Sequence, residues 1–418
     1  MGTSYRVRPS GPLQGRVRVA GATKNAGTKQ MAAALLAPGV TRLRNVPYVL
    51  DLEVMVDLLR AIGATVEVHG DEVVIDAAGD LTPEAPYELV TRMRASFNVL
   101  GPLVARCGEA RVALPGGDNI GSRKVDMHLR GLESLGAQVE VRHGFVHARA
   151  DRLFGNRIVL EFPSVGATEN LMCAAVLAKG TTVIENAARE PEVTDLAAFL
   201  DRMGAQVVGG GSSTIEIEGV DHLSAVDSEI MADRIEGGTL LMACGIAGGE
   251  IELVGTRLEH LDIVVMKLCE MGMRVSPTAD GLWAMAKQRL RAVDIATLPH
   301  PGFATDFMPL AVALLAVAEG SAIVTENVYD GRFQFVDELA RMGADVRTEG
   351  RHAVVRGVER LSGAPVAASD VRAGAALVLA GLVAEGETIV HDCQHVDRGY
   401  HDLPGQLAAL GADVSRLP

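Results

Sequence analysis

Six short segments of this 418-residue chain place ionisable residues beside glycine or proline turns or at the head of an apolar helix. In LPGGDNIGSRKVDMH, residues 114–128, Gly116, Gly117 and Gly121 permit positive φ and close backbone approach, while Asp118 supplies an acid and Arg123 a cation. A segment that only connects elements needs neither charge. GATKNAGTKQ, which begins at Gly21, places Lys24 and Asn25 just before a helix, where free backbone N–H groups and the helix dipole favour anions. TRMRASFN carries Arg92 and Arg94, LPHPGFATDFMP carries Thr305 and Asp306, SDVRAGA carries Asp370 and Arg372, and HVDRGYHD carries Asp397 and Arg398. Taken alone, Asp306 reads most simply as a helix N-cap. Arginine forks and lysine charges suit phosphate and carboxylate, and an aspartate without a metal suits proton transfer. Together the segments point to transfer chemistry on an anionic substrate.

Other chemistries lose support. GATKNAGTK is not a Walker A loop, because five residues separate Gly21 from Gly27 and Thr28-Lys29 has the reverse order. There is no HExxH, GxSxG or GxGxxG of the nucleotide-binding type. His391, Cys393, His395 and His401 crowd one segment, but strand-like spacing would divide them between two faces, so no metal is expected there.

The elements that must position these residues recur six times. A helix-like segment closes on a glycine and passes into a strand at LLRAIGATVEV, GLESLGAQVEV, FLDRMGAQVVG, KLCEMGMRVSP, ELARMGADVRT and QLAALGADVSR. The turn glycines, Gly63, Gly136, Gly204, Gly272, Gly343 and Gly411, lie 73, 68, 68, 71 and 68 residues apart. A second marker has the same period: an apolar run ends at a glycine and enters a β-branched strand, as in VLAKGTTVIEN and AVAEGSAIVTEN. A period this long marks a small subdomain rather than a solenoid rung. Runs such as PLAVALLAVAEG are apolar nearly all round, which places those helices inside with sheets wrapped about them. The size suggests two domains of three repeats, divided near IEGVDHLSAVDSEIMADR.

Composition sets outer limits. The net charge of −14 opposes non-specific nucleic-acid binding, so arginines must overcome that field locally if the ligand is an anion. The longest apolar run, Ala373 to Ala384, has 12 residues, short of the ~20 that span a bilayer. Five cysteines without a CxxC pair read as free thiols, and the N-terminus has no apolar signal stretch, so a cytoplasmic location is expected.

These motifs resemble a known family. Lys24-Asn25-Ala26, MRAS at 93–96, LPGG followed by IGSRKVDMH, PSVGAT at 163–168, ENAAREPEV at 185–193, ATDF around Asp306, SDVRAGA and HVDRGY are similar to those of UDP-N-acetylglucosamine 1-carboxyvinyltransferases, enolpyruvyl transferases related to EPSP synthase. The likeness runs from about residue 6 to the C-terminus. It implies an α/β fold, the inverse α/β prism, with two domains of three β-α-β-α-β-β units: 22–231 with a lid at 114–127, and 1–21 with 232–418. The active site would lie in the interdomain cleft.

The resemblance also implies the chemistry. The 3′-hydroxyl of UDP-N-acetylglucosamine adds to C2 of phosphoenolpyruvate as C3 is protonated, and phosphate then leaves the tetrahedral intermediate, the first committed step of peptidoglycan synthesis. Lys24, Arg123 and Arg398 would hold the phosphate of phosphoenolpyruvate, and Arg372 and Arg398 its carboxylate. Asn25, Arg94, Arg123, Val125, Asp126, Met127, Ser164, Val165, Gly166, Thr305, Asp306 and Arg332 would line the nucleotide-sugar pocket. Asp306 would take the hydroxyl proton, and Asp118, where many members have cysteine, would be the lid's acid. No cofactor and no metal is implied, and a monomer or weak homo-oligomer is expected. Fosfomycin, which alkylates the cysteine thiolate, should not act on this chain.

Some residues depart from the family pattern. Thr23 is one residue more than the usual GAKNA, the following Gly27-Thr28-Lys29-Gln30 is more polar than usual, Lys124 replaces a common proline, and Met308 replaces a commonly polar residue. These cluster on the side of the hydroxyl substrate. They admit a second expectation, an enolpyruvyl transferase for another nucleotide hydroxyl such as that of UMP, and a third of another class, a non-catalytic nucleotide-sugar sensor.

Overall fold

The computed structural model describes residues 3–117 and 124–417. Among them six four-stranded sheets repeat one plan. In one, strand Arg157–Val159 runs parallel to Thr181–Glu185, which pairs antiparallel with Thr214–Glu218, and that strand closes a hairpin with Gln206–Val208. Helix Val165–Ala175 joins the first two strands and helix Pro191–Arg202 leads into the hairpin, giving the order β-α-β-α-β-β. The alternation of the strands fixes the faces: Thr182, Ile184, Ile215 and Ile217 are buried, while Glu216 and Glu218 are exposed.

The chain forms two compact units. The first runs from Gly21 to Gly117 and on to Met231; the second is built from the N-terminal residues through Ala20 and from Ala232 onward. Three of the four-stranded sheets belong to each. Two edge strands are not where chain order would put them. Leu13–Arg18 precedes the first repeat but pairs parallel with Gly249–Val254 of the second unit, and Asp227–Glu229 precedes the fourth but pairs parallel with Val40–Arg44 of the first. Ser4–Val7 completes the last sheet between Thr388–His391 and Val414–Leu417. Each unit thereby closes all three of its sheets.

The most apolar helices are internal, as their sequences predict. Every residue is buried from Ala167 to Ala175, from Arg234 to Gly245, from Met308 to Leu315 and from Val371 to Gly381. Close packing depends on glycine at chosen points: a Cβ on Gly101 would stand 2.2 Å from the Asn170 carbonyl oxygen. The second helix of a repeat is amphipathic. Leu50–Ile62 ends at Gly63, whose φ of 106° lets Ala64 N–H reach the Leu59 carbonyl at 3.0 Å. All six repeat-closing glycines have positive φ, which is why their spacing stands out in the sequence. No described helix is long and apolar enough to cross a membrane.

Candidate active site

The segments with chemical potential gather where inner helices begin. In the second unit, LPHPG leads into a single 3₁₀ turn, Thr305–Phe307, that continues as helix Met308–Leu315. Asp306 makes no cap bond to that helix, which overturns its simplest reading as an N-cap; Pro309 needs no partner there. Instead its carboxylate accepts from Arg332 Nη2 at 3.0 Å and from Arg372 Nε at 3.2 Å. Arg332 Nη1 also donates to Thr305 Oγ1 at 2.6 Å, and Thr305 donates to Glu326 Oε2 at 2.7 Å. Buried Glu326 further accepts from Thr297 Oγ1 and from Val328 and Tyr329 N–H, which fixes the turn that delivers Arg332.

Arg372 leaves the first turn of helix Val371–Gly381, whose start is capped by Asp370 through the N–H groups of Arg372 and Ala373. Its guanidinium carbon lies 5.0 Å from the ring centroid of Tyr400, and the Tyr400 hydroxyl is 2.8 Å from Thr239 Oγ1. Arg372 is buried, and Tyr400 is its second side-chain partner beside Asp306. Arg398 follows the short helix Gln394–Asp397 and is half-buried. Its neighbour Asp397 is forked by Arg416 at 2.8 and 2.8 Å and also accepts from the Tyr5 hydroxyl.

Burial pushes the Asp306 carboxyl up, but Arg372 and Arg332 more than offset that, with Arg234 acting the same way, and hold it well below the usual carboxylate range. In this arrangement Asp306 is ionised at neutral pH and is a poor proton acceptor.

In the first unit, Lys24 and Asn25 are not in a loop ahead of a helix. They lie inside a wide helical turn, Thr23–Gly27, in which Gly27 N–H reaches the Ala22 carbonyl and Thr28 N–H reaches Thr23. Such a five-residue turn accommodates one more residue than an α-turn, which answers how the chain absorbs Thr23. The Thr23 hydroxyl is buried and donates to the Pro47 carbonyl at 2.8 Å. Lys24 Nζ pairs with buried Asp51. Arg94 opens the turn Arg94–Val99 and donates from Nη2 to the Lys124 carbonyl at 3.2 Å. Ser164 caps helix Val165–Ala175, its hydroxyl accepting from Ala167 N–H at 3.4 Å. Asp126 begins helix Asp126–Ser134 and lies 3.7 Å from Arg130, with Val125 and Met127 half-buried on either side.

The expected site residues therefore fall into two clusters: Thr305, Asp306, Arg332 and Arg372, with Arg398 nearby in the chain of Tyr400, and Lys24, Asn25, Arg94, Val125, Asp126, Met127, Ser164, Val165 and Gly166. Asp118 and Arg123 lie outside the described residues. Sequence reasoning missed Asp51, Glu326 and Tyr400. Glu326 lies just past its strand, where the corresponding residue of another repeat is Asn186, so the repeat gave no signal for it.

Residues 7–407 match the family described as EPSP synthase (3-phosphoshikimate 1-carboxyvinyltransferase). The chain is 51% identical over 417 residues to the UDP-N-acetylglucosamine 1-carboxyvinyltransferase of Corynebacterium jeikeium, covering 100% of both chains. It is 50% identical to the enzyme of that name from Mycobacterium tuberculosis, also covering 100% of both. Among solved structures it resembles the enolpyruvyl transferase NikO from Streptomyces tendae, with a TM-score of 0.87 at 27% identity and 100% of both chains covered. EPSP synthase from Acinetobacter baumannii shares the fold, with a TM-score of 0.76 at 18% identity over 100% of both chains.

Proposed function

The chain belongs to the EPSP synthase family, and we infer that it transfers the enolpyruvyl group of phosphoenolpyruvate to the 3′-hydroxyl of UDP-N-acetylglucosamine with release of phosphate. This is the committed step that supplies peptidoglycan for cell-wall growth, shape and division, and it belongs in the cytoplasm, where both substrates are made. The hydroxyl oxygen bonds to C2 while a proton adds to C3. In the second step C3 gives up a proton and the C2–O bond to phosphate breaks, leaving the enol ether. The observation that carries the reading is a carboxylate, Asp306, held between two buried guanidinium groups, Arg332 and Arg372, at the start of an inner helix.

In this reading Arg372 and Arg398 take the substrate carboxylate, and Lys24, Arg123 and Arg398 its phosphate. When Arg372 turns toward the substrate, Asp306 loses a cation and gains basicity as the 3′-hydroxyl arrives. The arginines contribute most, because they face the charge that moves with phosphate. Asp118 would be the acid that protonates C3. A carboxylate is a poorer nucleophile than a thiolate toward an epoxide, so fosfomycin should leave the enzyme active and Asp118→Cys should make it sensitive. Time-dependent inactivation with an adduct on Asp118 would count against this.

Phosphate release from phosphoenolpyruvate tests the whole reading, with UDP-N-acetylglucosamine, UMP, shikimate 3-phosphate and no second substrate compared side by side. Release with the nucleotide sugar alone is expected. The departures at Thr23, Lys124 and Met308 favour a second reading, transfer to another nucleotide hydroxyl, and release with UMP alone would select it. Binding of the sugar nucleotide without release would select a sensor.

A further inference from the structure

Three elements of the first unit that carry the nucleotide-sugar residues converge below the site on one side chain, Glu169. It is 1% exposed and lies one turn inside the helix that Ser164, Val165 and Gly166 begin. Lys29 Nζ stands 3.6 Å from Glu169 Oε2 and donates to the Asn25 carbonyl at 3.3 Å, which ties in the turn that bears Lys24 and Asn25. Asn98 Nδ2 donates to the same Oε2 at 3.2 Å, and Asn98 belongs to the turn that Arg94 opens. A fourth element joins through His128, on the helix that starts at Asp126. Its ring packs edge-on to Phe97 at 5.1 Å, and a Cβ on Gly166 would stand 3.4 Å from it.

We propose that Glu169, with Lys29 and Asn98, is the positioning centre of the nucleotide-sugar pocket, fixing the spacing of Asn25, Arg94 and Ser164–Gly166. This rests on the reading that those residues hold the nucleotide sugar. Stability does not account for the trio, because a buried ion pair is commonly matched or bettered by apolar residues of similar volume. Glu169 Oε1 has no hydrogen-bond partner among the described residues, so the carboxylate is not there to satisfy the core. What a hydrogen-bonded polar hub does offer is direction: hydrogen bonds constrain angle as well as distance, where apolar contacts would let three elements slide. The polar run Thr28-Lys29-Gln30 also finds its explanation here. Gln30 is likewise buried and bonded, donating to Asp195 at 2.8 Å and accepting from Ser228 at 3.1 Å.

The test compares the intact chain with Glu169→Gln, Lys29→Met and Lys29→Arg. Calorimetric titration gives the Kd for UDP-N-acetylglucosamine, steady-state assays give KM for both substrates, and thermal melts report folding. Glu169→Gln and Lys29→Met should weaken the nucleotide sugar by about tenfold, with KM for phosphoenolpyruvate within about twofold, and Lys29→Arg should restore binding. If Glu169→Gln does not fold, Lys29→Met carries the test, since the Lys29 side chain is 12% exposed rather than fully enclosed. Unchanged Kd in folded variants, or equal loss for both substrates, overturns the proposal while leaving the parent reading intact. Failure of the unmodified chain to bind the nucleotide sugar removes both.

Discussion

Two carboxylates near the starts of inner helices, half-buried Asp306 and buried Glu169, meet opposite fates. Asp306 has guanidinium nitrogens at 3.0 and 3.2 Å and is held well below the ordinary carboxylate range. Glu169 is pushed up to about 7: burial dominates, Lys29 at 3.6 Å opposes it, and Glu192 and Glu190 reinforce it. The unit a residue belongs to is not the cause. Glu236 shares a unit with Asp306 and is also pushed up to about 7, because burial and Asp233 outweigh its bonds from Ala20 N–H and the Gln406 amide. What decides is the partner: two guanidinium forks keep a carboxylate charged, whereas one ammonium or a pair of neutral donors does not. Charge persists at the cluster proposed to meet the reacting anions, and is relaxed at the hub proposed to position the pocket.

The largest expected effect tests the charged side of that contrast. Asp306→Asn keeps the size of the side chain but removes the proton acceptor and turns an amide toward one of the arginines. Its kcat for phosphate release should fall by about 10²–10⁴, the usual range for a general acid or base, while Kd for UDP-N-acetylglucosamine changes by less than about tenfold. A kcat within about threefold of the parent would break the comparison, since Asp306 would then be a structural ion-pair partner like any other.

The sequence made the repeat legible because its markers answer to backbone sterics. Gly63, Gly136, Gly204, Gly272, Gly343 and Gly411 close helices in conformations that residues with a Cβ rarely adopt, so the period of about 70 residues could be read before any sheet was seen. The inner helices were equally plain, because burial on every side leaves no polar face in PLAVALLAVAEG. Strand exchange was not legible: Leu13–Arg18 and Asp227–Glu229 are chemically ordinary edge strands, and nothing in their residues says which sheet they complete. The site divides the same way. Asp306 and Arg372 sit in distinctive motifs, Arg332 entered only through the resemblance, and the three do meet. The pairing of Lys24 with Asp51, and the hub at Glu169, join residues 27 and 140 apart in sequence, and partners across such distances leave no local pattern.

A second experiment uses pH to separate the two carboxylates. The folded-state pKa of Asp306 lies below its ordinary value of 3.8, so the native state binds fewer protons than the unfolded chain in acid. Its stabilisation is complete above about pH 4 and is lost as pH falls. Glu169 has the opposite sign: the native state keeps a proton that the unfolded chain releases near 4.5, so its contribution is complete below that value and is lost as pH rises through about 7. Urea denaturation should therefore show Glu169→Gln gaining on the parent between pH 5 and 8, by roughly 3 kcal/mol at the limit. The deficit of Asp306→Asn should shrink as pH falls from about 5 to 3. Parallel pH profiles for both variants would mean that Lys29 neutralises Glu169 as fully as two arginines neutralise Asp306.

The smallest effects are expected where the two units are alike. At the ends of inner helices remote from the site, each unit uses one arginine to satisfy carbonyls that no helical N–H can reach. Arg106 donates to Leu35 and Ala37 at 2.7 and 3.3 Å and to Ala77 at 2.6 Å. Arg289 donates to Val317 and Ala318 at 2.7 and 3.1 Å and to Val358 at 2.7 Å. Arg106→Met should cost about 1.5–3 kcal/mol in denaturant unfolding, the range for bonds that involve a charged group. Arg289→Met should cost less, because Arg289 is exposed and water can replace it at those carbonyls. Neither should move kcat or either KM by more than about twofold, since carbonyls at a helix C-terminus influence little beyond the last turn. A KM shift in one variant alone would show that the contrast between Asp306 and Glu169 extends through the helices, and that partner chemistry at the site ends is only its nearest cause.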